Sequence, residues 1–142
     1  MLNILSRFRL NRSSAPYLIH SPPGTGKSTT LKEIIRQMLA IGPEIKILVT
    51  APSNAATDLL AISLLKAGQS EIFRYVSPSR DPSSVPDVLR PFSNIFPDPA
   101  NLEEGELNES EEIREPLNET IMRARVVLAT LTLAAKLALS QF

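Results

Sequence analysis

Apolar residues fall along this chain in two rhythms. Short, nearly continuous runs at Pro16-Tyr17-Leu18-Ile19-His20, Ile45 to Thr50 (I-K-I-L-V-T), Ile72 to Val76 and Arg125 to Thr130 (R-V-V-L-A-T) read as buried strands. Runs without polar alternation suit a parallel sheet covered on both faces. Between them the spacing turns helical. Leu31, Ile34, Ile35, Met38 and Leu39 share one face, Lys32, Glu33, Arg36 and Gln37 the other, and Gly42-Pro43 stops the helix. A second helix follows the turn Ala51-Pro52-Ser53. It is capped by Ser53 or Asn54, carries Leu59, Leu60, Ile62 and Leu64, and ends near Gly68. Leu131 to Leu139 reads as another helix. Strands alternating with helices predict an α/β fold, a parallel sheet with right-handed crossovers.

Two segments break the rhythm. Ser77 to Pro99 holds six prolines, which predicts an extended loop and not a packed element. Asn101 to Thr120 is rich in glutamate and reads as exposed, with part of it helical. No internal repeat is visible.

Composition narrows the class. With 142 residues the chain is the size of one domain, and 43% hydrophobic against 21% charged residues is a soluble, globular balance. The absence of cysteine excludes a disulfide framework and cysteine-ligated metal, and a lone His20 excludes a multi-histidine site. No apolar run reaches the ~18–20 residues of a membrane span, so no membrane partner is expected. The net charge of zero hides an uneven distribution. Residues 1–100 carry 11 basic and 7 acidic side chains, residues 101–120 carry eight Glu and one Arg, and the last 22 carry three cations and no acid. The mildly basic body is compatible with nucleic acid. Arg7, Arg9 and Arg12 in an apolar N-terminal stretch suit either an organelle transit peptide or a short surface helix. The sequons at Asn11, Asn108 and Asn118 read as chance matches without a secretory signal.

The chemistry sits between the first strand and the first helix, in Ser21 to Ser28, S-P-P-G-T-G-K-S. Glycines at 24 and 26 let backbone N–H groups turn inward around phosphate oxygens at a helix N-terminus. Lys27 reaches β- and γ-phosphates as a point charge, Ser28 offers a hydroxyl to Mg²⁺, and Thr29 bonds a phosphate oxygen. Pro23, Gly24, Thr25, Gly26, Lys27, Ser28 and Thr29 are therefore the expected ATP-Mg²⁺ residues, with Lys27 as the catalytic one and Ser28 as the metal ligand. Ser21 departs from the strict G-x-x-x-x-G-K-S/T pattern, and serine does not take positive φ as cheaply as glycine.

A second motif, L-V-T-A-P-S-N-A-A-T-D from Leu48 to Asp58, lies directly after the second strand. Together the two motifs resemble the superfamily 1 RNA helicases, in which the second is motif Ia. The run Arg74-Tyr75, Ser77-Pro78-Ser79-Arg80-Asp81, Val85-Pro86 and Arg90-Pro91, with V-V-L-A-T-L-T-L-A-A-K-L-A-L-S-Q-F at the end, is similar to the Armitage-type branch, the Moloney leukaemia virus 10 group. The resemblance covers about residues 15–142. It implies a P-loop NTPase, RecA-like, in which Pro52, Ser53 and Asn54 contact RNA backbone and Thr130 and Thr132 do so at motif Ic. Ala135 replaces a glycine common in that neighbourhood. A helix cap at Ser53 or Asn54 and a structural threonine at a strand end explain the same residues without RNA. The resemblance further implies single-stranded RNA as a partner, a second RecA-like domain, RNA-silencing or RNA-decay proteins by kinship, and a cytoplasmic location.

No Asp-Glu pair occurs in the chain, and its first glutamine is Gln37, so the family's acidic Mg²⁺ motif and its adenine-reading glutamine before the loop are both missing. The expectation is an N-terminal extension at 1–14 and an incomplete first helicase domain at 15–142. Within it lie a proline-rich loop at 77–99 and an acidic insert at 101–120. Such a chain holds nucleotide but does not hydrolyse it alone. A non-catalytic nucleotide- or RNA-binding module and an AAA-type ATPase are the alternatives.

Overall fold

The computed structural model describes Pro16 and residues 18–20, 22–95 and 117–139. The chain divides into two compact units, Met1–Ile45 and Lys46–Phe142. The first contains helix α1, Lys27–Leu39, which buries Ile34, Ile35 and Leu39, three of the five residues whose spacing predicts it. On its solvated face Glu33 accepts from Arg36 and Gln37, and these bonds hold its carboxyl down at about 2. The helix ends at Leu39, with Ala40 in right-handed conformation as its C-cap, just ahead of Gly42-Pro43.

The strand expected at 16–20 is not formed among the described residues. Leu18 is 87% exposed and Ile19 43% exposed, and Tyr17 lies outside the described residues. A strand is a paired state, and an apolar run becomes one only beside another strand's free N–H and C=O groups. The described residues of Met1–Ile45 contain no strand.

The second unit holds a parallel sheet of β1 (Ile47–Ala51), β2 (Ile72–Arg74) and β3 (Val126–Thr130), in the order β1-β3-β2. Its helices are α2 (Asn54–Lys66), α3 (Leu117–Arg123) and α4 (Leu131–Leu139). The central strand is V-V-L-A-T, and Val126, Val127, Leu128 and Ala129 are all completely buried. Such a strand must be covered on both faces, and it is. Register and pleat put Leu48, Phe73, Val127 and Ala129 on one face. That face packs with Ile121 and Ala124 near α3 and with Leu133, Ala134 and Leu137 of α4. The other face carries Val49, Leu128, Ile72 and Arg74, and α2 crosses all three strands there.

Of Leu59, Leu60, Ile62 and Leu64, α2 fully buries only Leu64. Its buried residues are Thr57, Asp58, Ala61 and Leu64, while Leu59 is 69% exposed. An ion pair fixes this rotation, as described below. Ser53 settles the choice of cap: its Oγ accepts the Ala56 N–H at 3.2 Å. Gly68, at φ +82°, follows the helix as predicted.

The proline-rich segment is the second correction. Residues 77–95 are not simply extended: they form 3₁₀ turns at Pro82–Ser84 and Asp87–Phe92, with Val85 and Leu89 essentially inaccessible. Proline fixes φ near the value a first helical turn needs, so Pro82 opens a turn. Asp81 holds that turn by accepting from the Ser83 N–H and hydroxyl at 2.9 and 2.7 Å. The Asn94 side chain then pairs with both the N–H and the C=O of Val76, at 2.6 and 2.8 Å, and fastens the segment beside β2. Most of the acidic stretch 101–120 lies outside the described residues, and α3 begins within its end. Among the described residues no helix is long and apolar enough to cross a membrane.

Candidate nucleotide loop and nucleic-acid edge

Gly24 and Gly26 have φ of +78° and +89°, the left-handed region that costs an ordinary residue about 1–2 kcal/mol. A Cβ at either would meet nothing within 4 Å, so glycine is required by the backbone and not by crowding. Gly26 is the N-cap of α1 and brings no side-chain cap. The N–H groups of the first turn, Ser28 and Thr29 among them, therefore open the helix with no side-chain cap, at the positive end of its dipole. Thr30 makes the first return bond, to the Gly26 carbonyl at 2.9 Å. Every residue from Pro22 to Thr29 is exposed. The loop folds onto one acceptor: the Pro22 carbonyl receives the Thr25 hydroxyl at 2.7 Å and the Lys27 ammonium at 2.8 Å. Ser21 lies outside the described residues.

This geometry can surround an anion. N–H groups at an uncapped helix start and a flexible ammonium are the donors a triphosphate needs. Ser28 contributes a hard hydroxyl oxygen, the ligand type Mg²⁺ prefers. No group of three His, Cys, Asp or Glu capable of holding a metal occurs among the described residues. Ser28 presents one such oxygen, exposed in the first turn of α1.

The second candidate region lies within Lys46–Phe142. Register pairs Ala51 with Thr130, so Pro52-Ser53-Asn54 and Leu131-Thr132 leave adjacent strands at one edge of the sheet. In open α/β sheets this carboxyl edge is where ligands bind. Pro52, Ser53 and Thr132 are exposed, Asn54 and Thr130 half-buried. The structure thus brings all five expected RNA-contact residues to that edge. Thr57 reinforces the loop by donating its hydroxyl to the Ser53 carbonyl at 2.8 Å.

Beneath this edge is a cluster that pattern reading missed. Arg74 is fully buried, and its Nε donates to Asp58 Oδ1 at 2.8 Å, its Nη2 to Asn54 Oδ1 at 3.0 Å and its Nη1 to the Tyr75 carbonyl at 2.5 Å. Arg80 closes on the same carboxylate, with Nη2 at 2.8 Å from Oδ2 and Nη1 at 3.2 Å from Oδ1. Arg80 also donates to the Ser84 hydroxyl and carbonyl, at 2.9 and 2.8 Å. Burial pushes the Asp58 carboxyl up, but hydrogen bonds and charge from Arg80 and Arg74 outweigh it and hold it below the usual carboxylate range. This ion cluster turns the polar face of α2 inward. The available signal was Arg74 itself, a cation inside the run I-F-R-Y-V that reads as a buried strand.

Residues 4–93 match the AAA domain family. Putative helicase mov-10-B.1 of Danio rerio is 36% identical over 126 residues, which is 87% of this chain and 11% of that protein. RNA helicase Mov10l1 of Mus musculus is 34% identical over 80 residues, 54% of this chain and 7% of that one. DNA-binding protein SMUBP-2 of Rattus norvegicus is 46% identical over 68 residues, covering 48% and 7% respectively. The chain spans about a tenth of the length of the curated relatives it matches.

Proposed function

The chain belongs to the AAA domain family, and from that premise we propose that it is the ATP-binding part of an RNA-dependent ATPase and helicase. Its P-loop holds ATP-Mg²⁺ and its sheet edge contacts the backbone of single-stranded RNA. The observation that carries the nucleotide site is the pair of left-handed glycines running into an uncapped helix start, with Lys27 and Ser28 in the first turn. The register of Ala51 with Thr130 supports the nucleic-acid edge. Relatives named as helicases and as a DNA-binding protein favour this reading over an AAA-type ATPase of other purpose.

In this role the N–H groups of α1's first turn bind phosphate oxygens. Lys27 leaves the Pro22 carbonyl to reach the β- and γ-phosphates, and Ser28 and Thr29 orient the chain of phosphates. Ser28 would hold Mg²⁺, which when bound would supply neutralisation of phosphate charge. Hydrolysis additionally requires a carboxylate to orient the attacking water, and the sequence contains no Asp-Glu pair to provide it. This chain alone therefore binds without turnover, and catalysis belongs to a site completed by a second RecA-like domain.

Titration of a fluorescent ATP analogue with Mg²⁺ tests the assignment. Binding is expected in the wild-type chain and lost in Lys27→Ala; equal binding by both refutes the loop. RNA-stimulated phosphate release by the 142-residue chain would refute the claim of binding without turnover. Comparing oligo(U) with oligo(dT) decides between RNA and DNA at the edge.

A further inference from the structure

We infer that Arg74 is a positioning residue: held by Asp58, which Arg80 clamps in turn, it orients the Asn54 amide so that its NH₂ group faces the nucleic-acid backbone. The inference rests on the sheet edge being the nucleic-acid contact.

An arginine guanidinium can only donate hydrogen bonds. The Asn54 atom 3.0 Å from Arg74 Nη2 is therefore the amide oxygen, and the identity of the other atom follows. Nδ2 makes no hydrogen bond. Among the described residues no buried side-chain nitrogen or oxygen lacks a partner, so Nδ2 lies at the surface. Asn54 thus presents a donor outward beside exposed Pro52 and Ser53. A donor in that position donates to phosphate and sugar oxygens and offers nothing to groups that themselves donate.

Arg74 has no exposed side-chain surface and cannot touch a ligand. Each of its nitrogens is committed, to Asp58, Asn54 and Tyr75. Asp58 is fixed in turn by two bonds from Arg80, and Arg80 by Ser84. An amide on an unconstrained turn presents either end; here a buried ion cluster fixes one orientation before any ligand arrives, which lowers the ordering cost of binding. The cluster also gives the run S-P-S-R a role in the fold. Its arginine locks the carboxylate that locks Arg74.

The test is fluorescence anisotropy of a labelled oligo(U) with the full chain at low salt, paired with thermal melts. Asn54→Asp keeps the shape and the oxygen facing Arg74, and replaces the outward NH₂ with a carboxylate oxygen. It is expected to melt no lower than wild type, yet to bind about tenfold more weakly or worse. A purely structural Asn54 would leave binding unmoved. Thr132→Val removes a hydroxyl from the same edge without touching the cluster. Unchanged binding by Asn54→Asp with weakened binding by Thr132→Val overturns the inference and leaves the interface standing. Unchanged binding by both, or no binding by wild type, overturns the interface and the inference together. Should Asn54→Asp fail to fold, Asn54→Ala, which removes the donor while leaving Arg74 paired with Asp58, is compared at matched folded fraction. A loss of about three- to fivefold supports the inference, and none overturns it.

Discussion

The phosphate loop and the Asp58 cluster hold the same kinds of groups, cations beside oxygen acceptors, in opposite surroundings. In the loop everything from Pro22 to Thr29 is exposed, and the Lys27 ammonium donates to the Pro22 carbonyl at the surface. In the cluster the Arg74 side chain is 0% exposed and that of Asp58 7%, with both carboxylate oxygens taken. An exposed polar contact is exchanged readily for water or a ligand and is worth about 0–1 kcal/mol. A buried pair is expensive to break because the abandoned charge has no water to turn to. The loop is therefore built to change partners, and the cluster to keep them.

The largest expected effect breaks that contrast directly. Asp58→Ala leaves two guanidinium groups without their anion and should cost about 3–5 kcal/mol. Lys27→Ala should shift stability by no more than about 0.5 kcal/mol. Urea unfolding of both variants checks the pair. An Asp58→Ala loss no larger than that of Lys27→Ala would mean that Arg80, with its Ser84 bonds, draws solvent into the cluster.

Acid provides a gentler probe of the same site. The Asp58 carboxyl titrates lower in the folded chain than in the unfolded one. Its contribution is thus complete above an unfolded carboxylate pKa of about 4 and is lost as pH falls through the lower folded value. Stability of wild type should decline in that window, and Asp58→Asn, less stable at neutral pH, should decline less steeply. Parallel pH profiles for the two chains would remove Asp58 from the acid response.

The contrast also governs what the sequence makes legible. The loop is contiguous, and its chemistry follows from residue order alone: glycines where φ must be positive, then a lysine and a serine at a helix start. Three of the four predicted strands were readable too, V-V-L-A among them, a continuous apolar run that suits a strand covered on both faces. Leu131–Leu139 emerged with the predicted bounds. The Asp58 cluster is scattered over positions 54, 58, 74, 80 and 84, and no local period connects them. Leucine spacing therefore located α2 without showing which face it buries, and an ion pair outweighs the burial of Leu59. Prolines at 78, 82, 86 and 91 suggested an open loop because they forbid regular ladders. They do not forbid 3₁₀ turns over a buried valine and leucine. The first predicted strand failed for a related reason, since apolarity is local and pairing is not.

Returning to the loop, Gly26→Ala isolates backbone strain from crowding. A methyl group there meets nothing within 4 Å, so the cost is that of φ +89° alone, about 1–2 kcal/mol. Thermal melts should show that loss alongside weaker nucleotide binding, because relief of the strain would swing the first-turn N–H groups away from the phosphate position. A neutral substitution would mean the loop tolerates another conformation, and with it that the left-handed glycines are not what shapes the cradle.

The smallest expected change in stability is the most informative about the edge. Ser53 caps α2 through its Oγ and is also exposed where RNA backbone is proposed to lie. Aspartate caps a helix about as well as serine, and its charge at the helix start is favourable by about 0.3–1 kcal/mol. Ser53→Asp should therefore melt at or slightly above the wild-type temperature. The same carboxylate would repel a phosphodiester, so oligo(U) binding should fall while the fold gains. The two readings of Ser53, as cap and as contact, then move in opposite directions in a single variant. If binding is retained while the melting temperature rises, Ser53 is a cap and nothing more, and the backbone contact must be carried by Asn54 and Thr132.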